Sequence, residues 1–228
     1  MKNIFIECKS LKKTFKSGET IVEALKCIDL TIYEKELVMI VGPSGSGKTT
    51  LLSIIGGIMN QDSGDCIIMG EDFNSLPQTI KPQFRGKNIG FVFQHFNLVP
   101  LLNIKENVAI PLLLTNVERE TSFKQAINIL TELQLQKKIN RLPKELSGGE
   151  QQRVAIARSC IHKPKVILCD EPTSFLDLKA GKNVINILKK IQEENNCAIV
   201  IVTHDPRILE FADRILEIED GKITEKKQ

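Results

Sequence analysis

The chain has 228 residues, with 31 Lys+Arg against 28 Asp+Glu, 42% hydrophobic and 26% charged residues. That balance suits one large or two small globular domains with a buried core, and a net charge of +3 is too mild to argue for a nucleic-acid partner or a membrane surface. The six cysteines, Cys8, Cys27, Cys66, Cys160, Cys169 and Cys197, show neither the CxxC pairs of a zinc site nor the density of a disulfide scaffold, and most of them read as small buried hydrophobes in a reducing compartment.

From the amino terminus, Lys2, Glu7 and Lys9 interrupt the apolar start, so no signal peptide is expected. Residues 4–15 and 22–33 read as two strands around a turn at Lys16-Ser17-Gly18-Glu19, the start of a small antiparallel sheet. Leu37-Val38-Met39-Ile40-Val41 is an apolar run of strand length, and Leu51-Leu52-Ser53-Ile54-Ile55 follows at helical spacing. Asp62-Ser63-Gly64 is a turn before a strand at 65–69, Gly70 turns the chain again, and 89–93 is strand-like. From about 103 to 139 apolar residues recur at helical spacing, Ala126, Ile127, Ile129, Leu130, Leu133 and Leu135 among them, without sustained heptads; this reads as a helical insertion with no coiled-coil arm, ended by Pro143. A helix is expected over 152–160 and a buried strand at Val166-Ile167-Leu168-Cys169. An amphipathic helix over 184–191, a continuously apolar strand over 198–202, an alternating strand over 214–219 and a hairpin turn at Asp220-Gly221 follow. Lys226-Lys227 reads as a solvated tail. Strand–helix alternation on both sides of the insertion implies a doubly wound α/β core. No uncharged stretch approaches bilayer length, and the most apolar one, residues 109–114, contains Pro111. A soluble, cytoplasmic protein is expected, with any membrane role exercised through a partner.

Three stations carry chemistry. Gly42-Pro43-Ser44-Gly45-Ser46-Gly47-Lys48-Thr49-Thr50 fits the phosphate-loop pattern between a strand and a helix. Glycines allow the backbone to curl round an oxyanion, several N–H groups then point inward, and the helix adds its partial positive end. Lys48 is expected to reach the β- and γ-phosphates and Thr49 to ligate Mg²⁺. The alternative is a glycine turn that binds nothing. Asp170-Glu171 ends an apolar strand, and ligands in such sheets lie at strand carboxyl ends. Asp170 would hold Mg²⁺ and Glu171 would orient and deprotonate the attacking water; the alternative is a solvated turn. Leu146-Ser147-Gly148-Gly149-Glu150-Gln151 opens a helix, where Ser147 and the glycines either bind an anion or simply cap it.

That hexapeptide, beside a phosphate loop, resembles the signature of the ATP-binding subunits of ABC transporters. The resemblance runs nearly end to end: phosphate loop, Gln94, signature, residues 166–171, residues 174–177 and His204 stand in family order. It implies a phosphate-loop NTPase core with a mostly parallel sheet, a small antiparallel β subdomain and an α-helical subdomain inserted at about residues 97–163, all one ATPase domain over 1–228. It also implies ATP and Mg²⁺ as cofactors, Phe15 stacking on adenine, and Gln94 sensing Mg²⁺ and water while contacting a membrane partner. Ser147, Gly148 and Gly149 would close on the γ-phosphate of the other subunit's ATP, His204 would contact the γ-phosphate, and Asp177 would link the two sites across the dimer. The implied partners are a second ATPase subunit, as a homodimer, and integral membrane permease subunits, placing the chain on the inner face of the cell membrane. Phe175 stands where the family has alanine or asparagine, and Cys169 where an aliphatic residue is common. Residues 90–94, 106–112 and 207–215 are most similar to the branch of lipoprotein-release, macrolide-export and heterocyst-glycolipid-export ATPases. Apolar Phe96, Leu98, Leu101 and Leu102 beside Gln94 offer either a dock for the membrane partner or buried packing.

Overall fold

The computed structural model describes residues 3–18 and 20–226. Lys2 of the amino-terminal stretch, Glu19 of the first turn and Lys227 of the tail lie outside the described residues.

Two sheets organise the chain. The first is antiparallel: β1 (Ile4–Ser17) lies between β2 (Thr20–Tyr33) and β4 (Ser63–Ile68), with the short β5 (Glu71–Asp72) on the edge. The Ser17↔Thr20 pairing leaves a two-residue connection, and Gly18 at φ 61° takes the left-handed conformation that such a turn demands. The second sheet has the order β10-β9-β3-β8-β7-β6. Its members are β3 (Leu37–Val41), β6 (Ile89–Val92), β7 (Val166–Asp170), β8 (Ala198–Thr203), β9 (Arg214–Glu219) and β10 (Lys222–Glu225). Only the β9–β10 pair is antiparallel.

Continuous apolar runs make the central strands because both faces are covered. Val38 and Ile40 of β3, Leu168 of β7 and Val200 of β8 face one core, shared with the antiparallel sheet and α1 (Lys48–Ile55). Met39, Ile167 and Ile201 face the other, against α5 (Gly148–Cys160) and α6 (Leu178–Asn195). α6 buries Val184, Ile185, Leu188 and Ile191 at helical spacing, and ends at Asn196 in the left-handed conformation with φ 52°.

The middle of the chain is helical and has its own core. α3 (Ile104–Leu114) and α4 (Arg119–Glu132) pack with α5 around Ile104, Val108, Ala126, Leu130 and Val154. α3 begins at Asn103 in a reciprocal cap: the Glu106 N–H donates to Asn103 Oδ1 and the Asn103 N–H to Glu106 Oε2, both at 2.9 Å. It continues through Pro111 rather than stopping there. α2 (Lys81–Asn88), just before β6, carries no sequence signal because only Lys81 of its residues is buried. α5 starts at Gly148, four residues earlier than its apolar periodicity suggests. Among the described residues no helix is long and apolar enough to cross a membrane.

Candidate active site

The phosphate loop leaves β3 after Val41 and enters α1 at Lys48. Two glycines make that path possible. A Cβ on Gly42 would run into the Ile218 carbonyl of β9, and one on Gly47, at φ 104°, into the Ala24 carbonyl of β2. The loop is thus wedged between the two sheets. Inside it, Ser46 Oγ is buried with no hydrogen-bond partner among the described residues, an orphan of the kind that folded proteins rarely tolerate. Lys48, also buried, folds back on its own loop: Nζ donates to the carbonyls of Gly42 (2.8 Å) and Pro43 (2.6 Å). Burial lowers the Lys48 pKa, while Glu171 and Asp170 work against that shift.

The parallel register of β7 with β8 sets Asp170 opposite Val202, so the strand delivers its carboxylates to the same end of the sheet as the loop. The Thr49 hydroxyl donates to Asp170 Oδ1 at 3.2 Å. Burial raises the Asp170 pKa; the Thr49 hydrogen bond and Lys48 oppose the rise, and the charge of Glu171 adds to it. Glu171 takes the left-handed conformation at φ 50°, which costs a non-glycine residue on the order of 1–3 kcal/mol. Its N–H donates to Val202 O at 2.9 Å, and its Oε1 lies 2.6 Å from His204 Nδ1. The His204 side chain is otherwise largely exposed.

Gln94 follows β6 by two residues. Val92 pairs with Cys169, so Gln94 leaves its strand at the level of Glu171 on the neighbouring one, and it is half-buried. Phe15 pairs with Val22 across the open end of the β1–β2 ribbon; Phe15, Ile21 and Val22 are all exposed there, and Lys13 Nζ stands 5.7 Å from the Phe15 ring centroid.

The signature segment lies elsewhere. Ser147 is the exposed N-cap of α5, and its N–H donates to Glu150 Oε2 at 2.9 Å. Glu150 also accepts from Lys138 Nζ at 2.6 Å, and that bond chiefly holds its carboxyl below the usual range. A Cβ on Gly148 or Gly149 would meet Phe175 O or Ala180 Cβ at ordinary contact distance, so this helix start adjoins residues 175–180. Asp177 caps α6, accepting from the Ala180 N–H at 2.8 Å. Among the described residues no hydrogen bond joins residues 147–149 to the loop at 42–50. The fold therefore gathers Lys48, Thr49, Asp170, Glu171 and His204 at one place, with Gln94 beside them, and sets Ser147, Gly148, Gly149 and Asp177 at another.

Two supporting residues escaped the sequence reading. Asp205 Oδ2 accepts from the Thr173 hydroxyl (2.9 Å) and from Arg207 Nη2 (2.8 Å), tying the segment after Glu171 to the residue after His204. Its one sequence signal is the Asp-Pro pair that opens a short 3₁₀ turn at Pro206–Phe211. Arg158 donates to Phe96 O (2.8 Å) and Asn97 O (2.6 Å), fixing the turn after Gln94; nothing in a linear sequence announces that contact.

Comparison with known proteins fits this geometry. The family model for ABC transporters matches residues 25–174. An uncharacterised ABC transporter ATP-binding protein of Methanocaldococcus jannaschii, MJ0796, is 42% identical over 227 residues, covering 98% of this chain and 97% of that one. The ATP-binding protein LolD of the lipoprotein-releasing system of Wigglesworthia glossinidia brevipalpis is 38% identical, covering 98% and 97%. The macrolide export ATP-binding/permease protein MacB of Shigella flexneri is 39% identical over 96% of this chain but only 34% of its own length. Among solved structures, the dimeric MJ0796 cassette in a post-hydrolysis state bound to ADP and Pi superposes with a TM-score of 0.91 at 42% identity, covering 97% of this chain and 98% of that one. With its phosphate loop, paired carboxylates and signature helix in that shared frame, the chain belongs to the ABC transporter family as an ATP-binding, ATP-hydrolysing cassette.

Proposed function

We propose that the chain is the motor subunit of an ABC transporter complex, a single cassette domain that pairs with a second copy and drives a separate integral membrane permease, in export or in lipoprotein or lipid release. The names of LolD and MacB support that branch. The observation that carries the reading is the cluster of Lys48, Thr49, Asp170, Glu171 and His204 at the end of the sheet from which the phosphate loop leaves, a loop whose buried Ser46 hydroxyl has no partner among the described residues.

The residues fit a magnesium nucleotide. The Ser46 hydroxyl lacks an acceptor that a phosphate oxygen supplies. The Lys48 ammonium, now spent on two loop carbonyls, exchanges them for β- and γ-phosphate oxygens. Thr49 and Asp170 offer two hard oxygens already in contact, and Gln94 a third at the edge, which suits a cation that takes few protein ligands. Mg²⁺ held there would neutralise developing charge on the phosphates. Around that group the chain's own work is positional. Glu171 accepts the proton of the attacking water, and His204 holds the Glu171 carboxylate and faces the γ-phosphate. Phe15 and Val22 give the adenine a flat apolar surface.

Ser147, Gly148, Gly149 and Asp177 stand apart from the loop in one copy, so a second copy completes the site: its exposed helix start donates to the γ-phosphate. ATP then favours the paired state because those contacts exist only when closed, and hydrolysis releases it. Closure shifts the helical segment at about 97–163 together with Gln94, beside which the membrane partner docks, holding the chain at the inner face of the membrane. Of the apolar residues near Gln94, Leu101 is 88% exposed and available for docking, whereas Phe96 and Leu98 pack on the core.

Glu171→Gln tests the assignment. The variant is expected to bind magnesium ATP, to hydrolyse it at least about a hundredfold more slowly, and to accumulate as a dimer in size-exclusion chromatography with light scattering. Native turnover in this variant sinks Glu171 as the base.

A further inference from the structure

Phe175 is out of place as a surface residue: it is 54% exposed, yet its ring is held on two sides. The centroid lies 5.3 Å from that of His95 with the planes 32° apart, and 6.3 Å from that of Phe96 with the planes at 67°. Both neighbours belong to the turn that carries Gln94. Within that turn the Phe96 N–H donates to Phe93 O at 3.1 Å and the Asn97 N–H to His95 O at 2.6 Å. Phe96 takes the left-handed conformation at φ 61°, which is costly for a bulky side chain, so contacts from other segments add to the turn's own bonds in holding it. Arg158 of α5 braces it from one side through the Phe96 and Asn97 carbonyls. The Phe175 ring meets the turn's His95 and Phe96 side chains.

The far end of the contact is equally tied. Ser174 Oγ donates to Glu171 O at 3.0 Å, the Leu176 N–H donates to Thr173 O at 3.0 Å, and Leu176 is buried in the core under α6. Segment 171–177 is therefore one stiff arch that starts at Glu171, ends in the Asp177 cap, and leans on the Gln94 turn through one aromatic side chain. A smaller residue at 175 leaves the arch and the turn without this contact.

We infer that Phe175 is a positioning residue for hydrolysis: its tilted contact with His95 and edge contact with Phe96 set Gln94 in register with Glu171. The inference rests on the reading that Glu171 and Gln94 act on the attacking water.

The test uses the purified full chain and steady-state ATP hydrolysis. Phe175→Ala is expected to lower kcat about tenfold with KM for ATP within about twofold of native, because an interaction acting only on the chemical step moves kcat and not ground-state binding. Phe175→Tyr, which keeps the ring, is expected to recover kcat to within about threefold, and His95→Ala, which removes one ring partner without touching segment 171–177, to lower it about threefold. In a Gln94→Ala background, Phe175→Ala is expected to add no further loss, since residues acting as one unit are non-additive. Native kcat in Phe175→Ala, an equal defect in Phe175→Tyr, a defect confined to KM, or losses that multiply with those of Gln94→Ala each overturn the inference. Glu171→Gln run in parallel separates the failures: native turnover there removes the water-activating carboxylate itself, while an inactive Glu171→Gln beside a native Phe175→Ala removes only the clamp.

Discussion

At the scale of single residues, the site is held by groups that touch no substrate. Asp205 accepts from Thr173, from the Arg207 backbone and from the Arg207 guanidinium, and the Arg207 contact chiefly lowers its pKa from the ordinary 3.8 to about 2. A carboxylate more acidic in the folded than in the unfolded chain adds stability that is complete above 3.8 and is lost as the pH falls through about 2. The depression corresponds to about 2 kcal/mol. Asp205→Asn is therefore expected to lower the unfolding free energy by about 2 kcal/mol at pH 7, with the gap to the native chain narrowing between pH 4 and pH 2. Urea denaturation at pH 7, 4 and 2.5 measures it. A gap that stays constant across that range would show that the Arg207 pairing does not stabilise the carboxylate. Because Asp205, the residue after His204, holds Thr173 of the segment after Glu171, the same substitution is expected to loosen the Glu171–His204 pair, whose 2.6 Å contact depends on both segments being placed together.

At the scale of elements, α3 shows how a buried polar residue shapes a loop. Asn107 is fully buried; its Oδ1 accepts from the Val99 N–H at 2.7 Å, and its Nδ2 lies within hydrogen-bond reach of the Val99 (3.0 Å), Leu102 (2.8 Å) and Asn103 (3.2 Å) carbonyls. One side chain thus stands in for the sheet or helix that residues 99–102 lack. Asn107→Ala takes this partner from the Val99 N–H and the Leu102 carbonyl, while the Val99 and Asn103 carbonyls keep backbone donors, and is expected to destabilise the chain by about 2 kcal/mol, read as a lowered urea midpoint. A change under about 0.5 kcal/mol, the range of an ordinary surface substitution, would mean that water replaces the side chain at no cost. The sequence reading follows the same division between regular and irregular parts. β3, β7 and β8 were legible because a strand covered on both faces is one unbroken apolar run. The phosphate loop and the Asp170-Glu171 pair were legible because their chemistry needs fixed residue types at fixed spacing. α2 was not, since Pro82 and Gly86 sit in it and it presents no apolar stripe. Nor was the start of α5, where the Ser147–Glu150 hydrogen bond rather than helix propensity begins the helix across two glycines. The clamp of Arg158 and Phe175 on the Gln94 turn joins segments far apart in the chain, and no local pattern encodes it. Phe175 was visible only as a departure from a familiar pattern.

At the scale of the whole molecule, the phosphate loop is the joint between the two sheets. Its glycines press against Ala24 of the antiparallel sheet and Ile218 of the parallel one, and α1 puts Leu51, Leu52, Ile54 and Ile55 into the core they share. A ligand that fills the loop braces both sheets, and one that binds only the folded chain stabilises it by mass action: about 2.7 kcal/mol at a hundred times its dissociation constant. For a chain of this size that is a rise in Tm of about 5–10 °C. Magnesium ATP added to Glu171→Gln, expected to consume it at least about a hundredfold more slowly, is expected to give such a rise in differential scanning calorimetry. Chelating the metal should reduce the rise, because Thr49 and Asp170 then face the phosphates with only each other for a partner. Lys48→Ala combined with Glu171→Gln should abolish most of it, since the ammonium that now rests on the Gly42 and Pro43 carbonyls is the one cation inside the loop. The comparison is between each variant with and without nucleotide, so any cost of the substitution to the free chain cancels. An undiminished rise in the Lys48→Ala variant would mean that the triphosphate binds elsewhere, and the loop would be a hinge between the sheets and nothing more.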